Sequence, residues 1–129
     1  MADLTIKKTR PIWYNLSPAN LPVPGLVSIL HRISGLLLVL ALVWLLYMLE
    51  LSLSSEADYR HFIDYVSHPL TKLGMIVLLW SFFHHFCAGM RYLLLDLRIG
   101  IELSGARRSS FVVFVVSIGL TVIVGAKLW

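Results

Sequence analysis

Two adjacent histidines occur in the middle of a long apolar stretch, where ionisable side chains are rare. His84 and His85 are followed by Gly89 and Arg91 within the run 73–95, which is long enough to cross a bilayer as a helix. Ionisable groups are costly in hydrocarbon, so their presence there indicates a functional site. A glycine one helical turn from a histidine leaves room for the imidazole to meet something flat and buried, because glycine has no side chain.

Haem is the flat group that this pattern favours. Neutral imidazole is a common axial ligand of haem iron, and His85 with Gly89 provides both ligand and space. His84 and His85 point about 100° apart on a helix, so they do not bind one iron from opposite sides. His31 lies roughly 8 Å nearer the membrane face than His85 by helical rise, and we expect it to meet haem propionates with Arg32 as charge partner. The second iron ligand is then expected from another chain.

The elements that position these residues are three membrane-spanning helices. Of the 129 residues, 58% are hydrophobic and 14% charged, against about 45–50% and about 25% in soluble domains. Apolar runs of the length that crosses the hydrocarbon core occur at 26–49, 73–95 and 109–126. Backbone groups must be satisfied in lipid, so all three runs are predicted to be helices of one all-α membrane domain spanning 1–129. An arm, 1–25, precedes them.

The distribution of basic residues predicts the orientation in the membrane. Six lie in the arm and in the connection between the second and third spans: Lys7, Lys8, Arg10, Arg98, Arg107 and Arg108. Three lie on the other side: Arg60, Lys72 and Lys127. The positive-inside rule places the N-terminus and the loop 98–108 in the cytoplasm, and the loop 50–68 and the C-terminus outside. The net charge of +4 thus reflects topology and contact with membrane lipid, and nothing in the sequence indicates nucleic acid.

Polar residues gather near the cytoplasmic end of the first two spans. Ser28, His31 and Arg32 share one face of the first span. Arg91 lies at a depth comparable to that of Arg32, and Asp96 lies a turn and a half further out. Either arginine alone is explained equally well as an anchor whose head reaches the interface. The clustering instead predicts a polar site above a histidine near the middle of the membrane.

These residues together resemble the cytochrome b membrane-anchor subunit of succinate dehydrogenase, the larger of two small anchors in succinate:quinone oxidoreductase. The resemblance rests on the pair Arg10-Pro11, on the segment 28–35 with the pattern S-x-x-H-R-x-S-G, and on the segment 85–96, which begins H-x3-G-x-R. It extends over nearly the whole chain and includes the three spans. Tyr92 stands where many members have His or Phe, and Arg98 where a small residue is usual.

The resemblance implies half of a two-subunit haem-binding helical bundle. Haem b would lie between this chain and a second small anchor subunit, with one histidine from each. His85 would be the iron ligand of this chain. His31 and Arg32 would neighbour the propionates.

The resemblance also implies a ubiquinone-reduction site at the cytoplasmic face of the bacterial inner membrane. Ser28 and Arg32 would contribute to it, and Arg91 and Asp96 are candidates for supporting roles. The iron–sulphur clusters and FAD would belong to an iron–sulphur subunit and a flavoprotein subunit. The chain would therefore be part of an enzyme without being catalytic alone.

Three alternatives compete with this interpretation. The chain could be the anchor of a fumarate reductase, which works with menaquinol in the opposite direction. It could be a haem-free membrane scaffold in which the histidines only pack. It could also be a b-type subunit of another respiratory enzyme, although such chains often supply both haem ligands, and the different depths of His31 and His85 count against that.

Overall fold

A computed structural model describes residues 21–128 as a bundle of four helices. The helices are α1 (Val23–Ser54), α2 (Glu56–Ser67), α3 (Pro69–Asp96) and α4 (Leu103–Leu128). Of these, α1, α3 and α4 are long and apolar enough to cross a membrane, which confirms the all-α class and the three predicted spans. Each is longer than predicted, because residues on either side of the apolar run continue the helix. The Arg10-Pro11 pair and the rest of 1–20 lie outside the described residues.

The connection between the first two spans contains α2, a helix that the sequence analysis did not predict. Ser55 caps its N-terminus, since the Ser55 hydroxyl accepts a hydrogen bond from the Asp58 backbone N–H at 3.1 Å. Arg60 and Glu56 form an ion pair one turn apart, at 2.8 Å. The helix packs against the ends of α1 and α3. The opposite end of the bundle, which carries Arg98, Arg107 and Arg108, is called the basic end below.

The turn after α3 places a charged residue in an unusual conformation. The Ile99 N–H bonds to the Leu94 carbonyl at 3.0 Å, and the Arg98 N–H bonds to the Leu95 carbonyl at 2.9 Å. These two bonds form a Schellman motif, whose left-handed position is usually occupied by glycine. Arg98 occupies it with a φ of 62°. An L side chain there costs roughly 1–2 kcal/mol relative to glycine.

Small polar side chains, rather than large apolar ones, fill the interior of the bundle. α3 packs against both α1 and α4. The fully buried side chains include Ser34, Ser81, His84, Ser110 and Ser117. Small side chains allow membrane helices to approach closely, and large apolar side chains cover the outside, where lipid solvates them. The buried serine hydroxyls bond to carbonyls of their own helix, as Ser117 does to Phe114 at 3.1 Å.

Candidate functional site

The rings of His31 and His85 are stacked between α1 and α3, with centroids 4.1 Å apart and planes inclined by 11°. The depth difference expected between these two side chains is therefore wrong. The expectation took the middle of each apolar run as the middle of the membrane. The stacked rings show that the middles of the two apolar runs do not lie level with each other. The Tyr92 ring packs edge-on against His31, with centroids 5.2 Å apart.

One ring nitrogen of His85 is held by the backbone of α1. Its Nδ1 lies 3.0 Å from the His31 carbonyl oxygen, which also accepts a hydrogen bond from the Ser34 hydroxyl at 2.9 Å. Because a carbonyl can only accept, Nδ1 carries the proton and donates it. The lone pair is then on Nε2, which forms no hydrogen bond within residues 21–128. The backbone of α1 thus sets both the tautomer and the orientation of the His85 ring.

Gly35 is a site residue that the sequence analysis did not single out for its role. A Cβ at this position would lie 2.8 Å from His85 Cε1, closer than real contacts allow, so glycine is needed for the ring to pack here. A Cβ at Gly89 would lie 3.8 Å from His31 Nε2, which is an ordinary contact. The glycine that admits the His85 imidazole is therefore Gly35 on the neighbouring helix, and Gly89 faces His31.

Ser28, Arg32 and Asp96 lie nearer the basic end than His85. Ser28 and Arg32 are one turn apart on α1, the first half-buried and the second exposed. Asp96 is exposed at the last residue of α3. Within residues 21–128 no ion pair joins Asp96 to either arginine of the predicted cluster. These side chains are thus available to groups from outside the chain.

Arg91 does not join the group on α1. Its side chain is 6% exposed and points to α4, where Nε donates to the Ser109 hydroxyl at 3.0 Å and Nη2 to the Ala106 carbonyl at 3.4 Å. Arg91 is therefore a buried link between α3 and α4, and the alternative of an anchor that reaches the interface is wrong for this residue. Arg32 is the exposed arginine of the two.

His84 lies in the interior of the bundle and faces away from the stacked pair. It is fully buried between Trp80 and Phe114, with ring centroids at 5.1 Å and 5.4 Å. The Val27 backbone is close to the ring, but neither ring nitrogen has a partner with hydrogen-bonding geometry in the described part of the chain. These contacts make His84 a packing residue.

The fold and the site define a small multi-pass membrane subunit that presents an oriented imidazole between two of its spans. Residues 6–124 match the family described as the succinate dehydrogenase/fumarate reductase transmembrane subunit, and the chain belongs to this family. This confirms the resemblance drawn from the sequence motifs.

Relatives of similar length share about a third of their residues with this chain. The succinate dehydrogenase cytochrome b556 subunit of Coxiella burnetii is 31% identical over 121 residues, which cover 93% of this chain and 97% of that protein. The subunit of the same name from Paracoccus denitrificans is 31% identical over 126 residues, covering 95% and 94%. That from Rickettsia felis is 29% identical over 118 residues, covering 92% of each chain.

Replacing His84 by Leu is expected to leave the thermal stability of the purified complex unchanged or to raise it by about 1 kcal/mol. The reason is that a buried polar ring without hydrogen bonds is exchanged for an apolar side chain of similar size. Thermal unfolding in detergent measures the effect. The control is Ala88→Leu at another fully buried position, which should destabilise by about 1–3 kcal/mol through overpacking. A clear loss of stability in His84→Leu would contradict a packing role.

Proposed function

We propose that the chain is the cytochrome b anchor of a succinate:quinone oxidoreductase, where it binds haem b through His85 and helps to form the site of ubiquinone reduction. The observation that carries the proposal is the hydrogen bond from His85 Nδ1 to the His31 carbonyl, which leaves Nε2 with a free lone pair. The names of the relatives, succinate dehydrogenase cytochrome b556 subunit, support the same assignment.

The residues around His85 suit an iron ligand. Histidines that bind metals usually donate their other ring N–H to a carbonyl or carboxylate, which fixes the ring and makes the free nitrogen more basic. The His31 carbonyl and the Ser34 hydroxyl provide this arrangement for His85. When bound, haem b would supply a centre that accepts and releases single electrons. His85 would hold its iron, and His31 and Arg32 would lie toward the propionates.

The second iron ligand would come from the partner anchor subunit. The rings of His31 and His85 stack face to face, so this pair is not arranged to hold the iron between them, and this chain would supply His85 alone. A second ligand from the partner is thus supported by the stacking of the two rings. The difference in depth that the sequence predicted for His31 and His85 is absent and does not support it.

Ser28 and Arg32 have the chemistry that quinone reduction requires. A quinone takes up two electrons and two protons, and charge that develops on its oxygens must be stabilised meanwhile. The Arg32 guanidinium is a fixed positive charge, which counts for more beside a membrane interior than in water. The Ser28 hydroxyl can donate a hydrogen bond to a quinone oxygen. Asp96, at the end of α3, and the buried Arg91 would support the site from a distance.

The proposed complex contains a second small anchor, an iron–sulphur subunit and a flavoprotein that carries FAD. It would lie in the bacterial inner membrane, with the basic end and the N-terminus in the cytoplasm and the C-terminus in the periplasm. Electrons would then reach the quinone from succinate at the cytoplasmic face. The family also includes fumarate reductase anchors, and the names of the relatives favour succinate oxidation.

His85→Leu is expected to remove or alter the b-type haem bands of the complex, because the variant lacks the ligand nitrogen. The measurement is an optical spectrum of the tagged, purified complex before and after addition of succinate. His84→Leu is the matched control, since His84 is adjacent but packs in the interior, and it should keep the wild-type bands. An unchanged spectrum in His85→Leu contradicts the ligand assignment, and wild-type complex without any haem supports the scaffold alternative.

Gly35→Ala is expected to weaken haem retention roughly tenfold or more, the range found when the groups that orient a metal ligand are disturbed. The added methyl group would displace the His85 ring without removing the ligand itself. Haem per complex is measured after dilution in detergent. Gly74→Ala, in α3, is the control, because a Cβ there meets nothing within 4 Å. Equal haem retention in the two variants would show that the packing of Gly35 against His85 does not matter.

Arg32→Leu is expected to lower succinate:ubiquinone reductase activity on the order of a hundredfold, the effect of losing one group that stabilises developing charge. Succinate oxidation by an artificial dye should change little, since that reaction does not need the membrane site. The two activities are assayed on the same preparation. Equal loss of both would indicate failed assembly rather than a role in quinone reduction.

A further inference from the structure

An apolar groove runs between α3 and α4 on the side of the bundle that faces away from the histidine pair. Its volume is about 470 Å³, and its lining includes Phe86, Met90, Leu94, Val112 and Val116. Met90 and Leu94 lie about 140° and 180° around α3 from His85. This α3/α4 groove is therefore separate from the proposed haem and quinone sites.

At the basic end the groove adjoins a polar cavity of about 460 Å³, called the basic basin here, whose lining includes Arg98, Glu102, Ser104 and Arg108. Gly100 lines both the groove and the basin, so the two lie side by side. The combined surface is apolar along the depth of the spans and cationic at the end of the helices. A phospholipid matches both parts, because its acyl chain is apolar and its head group is charged.

The cations along this surface lack acidic partners in the described part of the chain. Arg91 lines the groove and is nearly buried, and its hydrogen bonds go to Ser109 and Ala106 rather than to a carboxylate. Within residues 21–128 no arginine of this surface forms an ion pair, and the ion pair of Arg60 with Glu56 lies at the other end of the bundle. The basin contains one carboxylate, Glu102, against two arginines. The surface is thus complementary to a negative group.

The backbone conformation of Arg98 also indicates a binding site at this end of the bundle. The residue occupies the left-handed position of the turn after α3, where glycine would fit without strain. Strained residues persist where the surrounding structure needs a particular side chain, and they are frequent at binding sites. The strained residue, Arg98, lines the basic basin.

We propose that the α3/α4 groove and the basic basin bind one anionic phospholipid, with an acyl chain between α3 and α4 and the phosphate held by Arg98 and Arg108. Basic pockets between membrane helices on the side that carries the positive charge are suited to anionic head groups. The apolar part lies at the depth of the spans, where an acyl chain is the surrounding solvent. This inference does not depend on haem or quinone binding.

The test is the dissociation constant of phosphatidylglycerol for the delipidated complex, measured by native mass spectrometry in detergent. Arg98→Gly should raise it about tenfold or more, through the loss of a charge-assisted hydrogen bond. The variant should fold, because glycine relieves the left-handed strain. Arg107→Gln is the matched control. This substitution removes the same charge in the same region. Because Arg107 is exposed and lines neither cavity, the dissociation constant should change only a few-fold.

A second variant tests the groove without changing any charge. Val112→Trp should fill the apolar part of the groove and raise the dissociation constant of phosphatidylglycerol. In addition, phosphatidylcholine should bind the wild-type complex more weakly than phosphatidylglycerol does. Equal effects of Arg98→Gly and Arg107→Gln, or equal affinity for the two lipids, would overturn the proposal in favour of general surface attraction. Loss of the iron–sulphur subunit in Arg98→Gly with unchanged lipid binding would also overturn it.

Discussion

The hydrogen bond between the His85 ring and the main-chain carbonyl of His31 joins α1 to α3 at the candidate site. The ring occupies space that any side chain at position 35 would fill, so it fits in one register of the two helices. That register brings His31 level with Gly89 and leaves Ser28 and Arg32 nearer the basic end. The relative depth of the groups proposed to bind ligands on this face therefore depends on how α1 and α3 pack around the His85 ring.

A lipid environment explains why the interior of this bundle can be polar. Apolar side chains on the outside are solvated as well by acyl chains as by protein, so their burial does not drive helix association. Packing of small residues and hydrogen bonds between helices take that role, as in the contacts of the His85 ring with the His31 carbonyl and of Arg91 with Ser109. A buried arginine is tolerated because hydroxyl and carbonyl oxygens at the start of α4 accept its hydrogen bonds.

The sequence predicts the spans well because a run of apolar residues long enough to cross a bilayer is a strong signal. It does not predict α2, because a short polar helix has no such run. The signal that could have indicated α2 is the capping pair Ser55 and Asp58 at its N-terminus. The types of the site residues could also be predicted, but not their arrangement. Arg32 and Arg91 look equivalent by depth, yet one is exposed and the other bonds to α4, because the direction of a side chain depends on which helix packs beside it.

The adjacent histidines show how one helix serves separate purposes. Successive side chains point about 100° apart on α3, so His84 faces the interior while His85 faces α1. The groove that begins at Phe86 lies on a third side. Each of these surfaces has its own chemistry: packing against aromatic rings, an imidazole oriented by a carbonyl, and an apolar groove beside a cavity lined by two arginines. Because α3 contacts both other spans, a shift of this helix along its axis would change all three surfaces together, whereas a substitution at one position changes one of them.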